Sequence, residues 1–95
     1  MTAYLEDIIQ CEGKDVTILK IVRGNDKWYC AYVRIDNLDK SIDYTCTDPY
    51  PTYHKGNVLG VDTDHGWNQD QTLEEKKKDA INQIEQIIKY FRNED

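Results

Sequence analysis

Asp62, Asp64 and His65 fall within four consecutive positions of the stretch "LGVDTDHGWN", at the end of an apolar run and just ahead of Trp67. Two carboxylates and an imidazole are the side chains that bind a hard or borderline cation, or that hold a catalytic water. In a continuing strand Asp62 and Asp64 project from one face, with Val61 and Thr63 on the other, and His65 points across the sheet unless the chain turns at Gly66. A metal needs further ligands, and His54 or Cys46 supplies them only if the proline-containing stretch between them folds back. The spacing of Cys46, His54 and His65 matches neither a zinc finger nor HExxH, and "DTDHGWN" lacks the distal Glu of a calcium loop. No GxSxG or Cys/His/Asn signature marks a nucleophile. We therefore expect no bound metal, no cofactor and no enzymatic activity. The plainer alternative is that Asp and Asn side chains take up local backbone N–H groups while His65 makes one fixed hydrogen bond across the turn.

A second chemistry is recognition by contact. Around the same residues stand Tyr44, Tyr50, Tyr53, His54 and Trp67, interspersed with Asp43 and Asp48. Aromatic side chains anchor protein interfaces and carboxylates steer a partner toward them, so these residues with Asp62, Asp64 and His65 form the candidate partner-binding set. The ordinary fate of large aromatics in a small domain is packing over a sheet edge, and that is the competing assignment.

The charge distribution supports a surface of one sign. The formal charge is -6, and residues 36–72 carry seven acids against two bases, whereas the flanking segments are nearly balanced. Direct binding of nucleic acid relies on clustered Lys and Arg to displace counterions, and this chain offers only Lys76, Lys77 and Lys78, which spread over a wide arc of a helix. The acidic middle would instead attract a basic protein surface or a cation. No stretch approaches the roughly 20 apolar residues of a membrane span, and "MTAYLEDII" lacks the basic and apolar regions of a secretory signal. Cys11, Cys30 and Cys46 are odd in number and form no CxxC pair, which suits reduced thiols in a cytoplasm. Cys30 lies in an apolar strand and reads as a small buried hydrophobe.

Ninety-five residues make one domain, 1–95. Its clearest element is a C-terminal amphipathic helix from about 73 to 92, with Leu73, Ala80, Ile81, Ile84, Ile87, Ile88 and Phe91 on one face. Thr72 and Glu75 have the spacing of a capping box, and Glu74/Lys78 and Glu85/Lys89 are favourably ordered pairs on the wet face. "DVTILKIV" and "KWYCAYVRI", joined by "RGND", predict a β-hairpin. In its second arm Tyr29, Ala31, Val33 and Ile35 form the apolar face that should meet the helix, and Trp28, Cys30, Tyr32 and Arg34 form the other. "SIDYTCT" can make a short strand, Pro49 and Pro51 exclude a regular central one, and "NVLGVDT" resumes as a short strand. "AYLEDIIQ" has Tyr4, Leu5, Ile8 and Ile9 at helical spacing in a segment too short to choose between helix and strand. The expected class is α+β: a small antiparallel sheet, a hairpin plus one or two short strands, packed against the long C-terminal helix.

The stretches "CAYVRI", "PYPTYHKG", "GVDTDHGWN" and "AINQIEQIIKYF", in this order, resemble a group of small uncharacterised proteins encoded by bacteriophages and prophages, whose strand end reads GFDxxHxxD. Gly60, Asp62 and His65 match that motif; Val61 stands where an aromatic is usual and Asn68 where a second aspartate is common. The resemblance implies phage origin, action in the host bacterial cytoplasm, and a non-enzymatic inhibitor of a host defence protein such as a CRISPR nuclease. The partner would then be a host protein, one version having a basic nucleic-acid-binding channel that the carboxylates occupy. The alternatives are a small-molecule or metal site around Asp62, Asp64 and His65, and a homo-oligomer built through the hairpin edge or Trp67.

Overall fold

The computed structural model describes residues 1–36 and 49–93. Five strands, β1 (Thr2–Cys11), β2 (Lys14–Arg23), β3 (Asp26–Arg34), β4 (Tyr53–Lys55) and β5 (Val58–Asp62), precede a single long helix, α1 (Leu73–Asn93). The strands form one antiparallel sheet in the order β1-β2-β3-β5-β4. The α+β class and the sheet-on-helix layering are as expected from the pattern of residues. The predicted strand at "SIDYTCT" lies outside the described residues.

The predicted hairpin is β2–β3. Arg23 pairs with Asp26 across a two-residue loop, and Gly24 at φ 60° provides the positive φ with which such loops match the strand twist. Its second arm alternates as anticipated. Tyr29, Ala31 and Val33 join Val16 and Ile18 of β2 and Leu59 and Val61 of β5 in a core closed by Ala80, Ile84, Ile87, Ile88 and Phe91 of α1. Ile84, Ile87 and Ile88 are essentially removed from solvent, so truncating any of them to alanine costs about 2–5 kcal/mol.

"AYLEDIIQ" resolves as the middle of a ten-residue edge strand, and its helical spacing has a structural cause. The register shifts between Leu5 and Asp7, so one extra residue, Glu6, is inserted opposite β2. The bulge reverses the parity of the strand. Leu5 pairs with Leu19 and Ile8 with Thr17, both on one face, while Tyr4 and Ile9 pair with Lys20 and Val16 on the other. Three-residue spacing within one face thus arises without a helix.

The face turned away from α1 is also apolar. Ile21, Trp28 and Cys30 are buried there with Leu19 and Tyr32 packed beside them, and the Arg23 guanidinium lies 5.1 Å from the Trp28 ring centroid. Gly60 is required on this face, because a Cβ at that position would sit 2.6 Å from the Tyr32 ring.

Helix α1 starts where the capping box places it. Thr72 N–H donates to Glu75 Oε1 at 2.9 Å and Glu75 N–H donates to Thr72 Oγ1 at 3.1 Å. Lys77 Nζ reaches Glu6 at 3.1 Å, Lys89 reaches Glu12 at 3.6 Å, and Lys76 Nζ donates to the Lys27 carbonyl at 3.1 Å. The two ion pairs add little to stability, since exposed pairs contribute about 0–1 kcal/mol each. Among the described residues no helix is long and apolar enough to cross a membrane.

Candidate functional site

Strand β5 stops at Asp62, so the expected pair of carboxylates on one strand face does not form. The regular ladder ends because Thr63, buried and still tied to Tyr29 of β3, offers its hydroxyl where a strand residue would offer its carbonyl. The Thr63 N–H donates to the Tyr29 carbonyl at 3.0 Å, and its hydroxyl accepts the Tyr29 N–H at 3.0 Å. Asp62 then closes the turn: Oδ1 accepts the Asp64 N–H at 3.0 Å and Oδ2 accepts the Thr52 hydroxyl at 2.7 Å. Asp64 is left exposed. His65 Nε2 lies 3.6 Å from Asp62 Oδ1, an ion pair when the ring is protonated. Among the described residues no three His, Cys, Asp or Glu side chains converge closely enough to hold a metal ion.

A 3-10 turn over Gly66–Asn68 follows. It lays the Trp67 indole on the His65 imidazole with ring centroids 4.2 Å apart and planes 5° from parallel. Asn68 anchors the turn from below. Fully buried, it accepts the His65 N–H on Oδ1 at 3.1 Å and donates from Nδ2 to Asp79 Oδ2 of α1 at 2.8 Å. The capping of local N–H groups by Asp62 and Asn68 is one half of the plainer alternative drawn from the sequence; in place of the hydrogen bond expected of it, the His65 ring stacks on Trp67.

The aromatic set divides into two neighbourhoods. On the α1 side, Tyr50 (48 % exposed) and Trp67 (63 % exposed) line a groove of about 220 Å³ with Pro49, His65, Asp79, Asn82 and Gln83. On the outer sheet face, a shallower depression of about 460 Å³ is bounded by Met1, Ile21, Trp28, Cys30, Tyr32, Asp62, Asp64 and His65. His65 lines both. Tyr53, 43 % exposed, belongs beside the second neighbourhood, edge-on to Tyr32 at 5.3 Å and 89°. His54 Nε2 lies 3.0 Å from the Gly56 carbonyl oxygen in the turn after β4. Asp43, Tyr44 and Asp48 lie outside the described residues.

Asp79, Asn82 and Gln83 were not among the residues singled out from the sequence. Their signal was available as spacing: at i, i+3 and i+4 they form a polar stripe bordering the apolar one. Gln83 is buried, and its Nε2 donates to Asp79 Oδ2 at 3.3 Å. The thiol in the second depression is not activated. Burial, the largest influence, pushes Cys30 above the usual thiol range, opposite to what a nucleophile needs. Burial likewise pushes Tyr32 up to about 12, with further rises from Cys30, Tyr53 and Asp62. What the region offers is fixed aromatic surface beside carboxylates and amides, suited to recognition by contact.

Compared with known proteins, the chain matches no family model, no curated protein and no solved structure.

Proposed function

We propose that this chain is a non-enzymatic binding protein of phage type, which inhibits a host protein by docking the end of the molecule that carries Tyr50, His65 and Trp67. One observation carries the reading. Trp67 is stacked on His65 yet left largely in water, while Trp28, the other tryptophan, is buried. A large exposed ring is the kind of residue that anchors an interface, and truncating such anchors costs about 2 kcal/mol or more. The acidic character of residues 36–72 supports a basic patch on the partner, as a surface that carries nucleic acid would have. The resemblance of Gly60, Asp62 and His65 to the strand-end motif of small phage proteins is what suggests inhibition of a defence system as the role.

Affinity capture from a bacterial lysate with the wild-type chain, Trp67→Ala and Tyr50→Ala tests this. A host protein retained by the wild type and lost about thirtyfold in affinity by the Trp67 variant, with unchanged circular dichroism, is the expected result. Identical retention by all three chains overturns it.

A further inference from the structure

We infer that the groove between Tyr50 and Trp67 receives an arginine side chain of the partner, with its guanidinium against the indole and its N–H groups on Asp79. The inference rests on the binding role proposed above and adds the chemistry of the group recognised.

Size suits a single side chain. Sites for cofactors and drug-sized ligands run to about 300–1,000 Å³, and about 220 Å³ accommodates a single side chain. Composition selects a cation. The Tyr50 and Trp67 rings, the His65 imidazole and Pro49 form the walls, Asp79, Asn82 and Gln83 provide oxygen acceptors, and among the described residues no Lys or Arg lines the groove. The nearest lysines of α1 are engaged elsewhere, Lys76 on the Lys27 carbonyl, Lys77 on Glu6 and Lys78 on Glu74.

The carboxylate is positioned rather than neutralised. Both hydrogen bonds that Asp79 accepts among the described residues, from Asn68 and Gln83, come from neutral amides and fall on Oδ2. They hold the group without supplying a counter-charge, and Oδ1 receives neither of them. The Trp67 ring is equally pre-set by its stack on His65, so little rotamer freedom remains to be lost on binding.

Guanidinium suits this arrangement better than ammonium. It is planar, is more weakly hydrated, stacks on aromatic faces and presents a fork of donors that a carboxylate and amide oxygens can share. A lysine would leave the indole with a point charge and use fewer of the acceptors.

Titrating the ¹⁵N-labelled full chain with Nα-acetyl-arginine amide, its citrulline counterpart and its lysine counterpart tests the assignment by NMR. The arginine compound should shift the Trp67 indole N–H and the Asn82 and Gln83 side-chain amide signals saturably, with Kd on the order of millimolar. Citrulline, equal in shape but uncharged, should bind about tenfold more weakly or worse. Trp67→Ala should abolish the response and Asp79→Asn should weaken it about tenfold, whereas Asp15→Asn, on β2 and outside the groove, should leave it unchanged. Unmoved signals, equal binding of citrulline, tighter binding of lysine, or an equal loss in Asp15→Asn each overturn the inference. The citrulline comparison needs no variant, so it stands even if Asp79→Asn unfolds the loop. Failure of the titration while host-protein capture still depends on Trp67 removes the arginine and keeps the binding role; intact titration with Trp67-independent capture does the reverse.

Discussion

Asn68 and Asp79, eleven positions apart, are joined by a 2.8 Å hydrogen bond from a fully buried amide to a helix carboxylate. That bond ties the loop bearing His65 and Trp67 to the first half of α1. Because the same Asn68 side chain accepts the His65 N–H, the exposed aromatic stack inherits its position from the helix.

Replacing Asn68 with alanine removes three side-chain bonds, those to the His65 N–H, Gln71 and Asp79, and leaves the His65 N–H without its partner. A hydrogen bond to a charged group contributes about 1.5–3 kcal/mol, so the melting temperature should fall by about 10 °C or more. Thermal unfolding followed by circular dichroism measures it. A shift of only a degree or two would mean that the loop stands without this tie.

Gly60→Ala pushes a methyl group into the Tyr32 ring, and overpacking of this kind costs about 1–3 kcal/mol. The double variant with Tyr32→Ala should lose less than the sum of the single changes, because the clash and the lost ring are the same event seen from two sides. Denaturant midpoints of the four proteins give the coupling directly.

Alkaline titration should separate Tyr32 from the other tyrosines. Its folded-state value of about 12 lies above the ordinary 10.0, so the associated stability is complete below pH 10 and is lost as pH rises through about 12. In the phenolate absorbance, the last step should vanish in Tyr32→Phe. An unchanged last step would place the late-ionising ring elsewhere.

The cap of α1 carries the opposite sign. Hydrogen bonds from the Thr72 backbone and side chain lower the Glu75 carboxyl, so the contribution is present above the unfolded value and fades as pH falls through the folded one. Thr72→Ala should cost about 1 kcal/mol at neutral pH. The difference in melting temperature between this variant and the wild type should shrink in acid; a difference that grows there would contradict the reciprocal cap.

Burial raises the Cys11 and Cys30 thiols, Cys11 being raised further by Glu85 and Glu12. In a Cys46→Ser background, a disulfide reagent at mild pH should label the native protein far more slowly than the chain in denaturant. Equal rates would show that either thiol is accessible.

The elements that close on themselves were legible in the residues. Thr72 and Glu75 lie three apart, the apolar stripe of α1 repeats every three or four positions, and "RGND" separates two alternating arms, so each pattern is satisfied within a short span of chain. The strand β1 was not legible, because the bulge at Glu6 turns a period of two into an apparent period of three, and only pairing with β2 shows where the extra residue sits. The buried outer face was half legible: Trp28, Cys30 and Tyr32 share a parity, but their burial depends on Ile21 and Leu19 across the hairpin.

The residue types alone determined the class of fold, the sign of the charge and the ring-rich, acidic character of the stretch around Trp67, since these follow from composition and local periodicity. Tertiary structure decided which of those residues meet. It ended β5 at Asp62, parted Tyr53 from Tyr50, stacked His65 on Trp67 and brought Asp79, Asn82 and Gln83 of α1 to the same groove. Such a meeting is set by how a helix crosses a sheet, and that angle follows from the joint packing of Val16, Ala31, Leu59, Ile84 and Ile88, residues far apart along the chain.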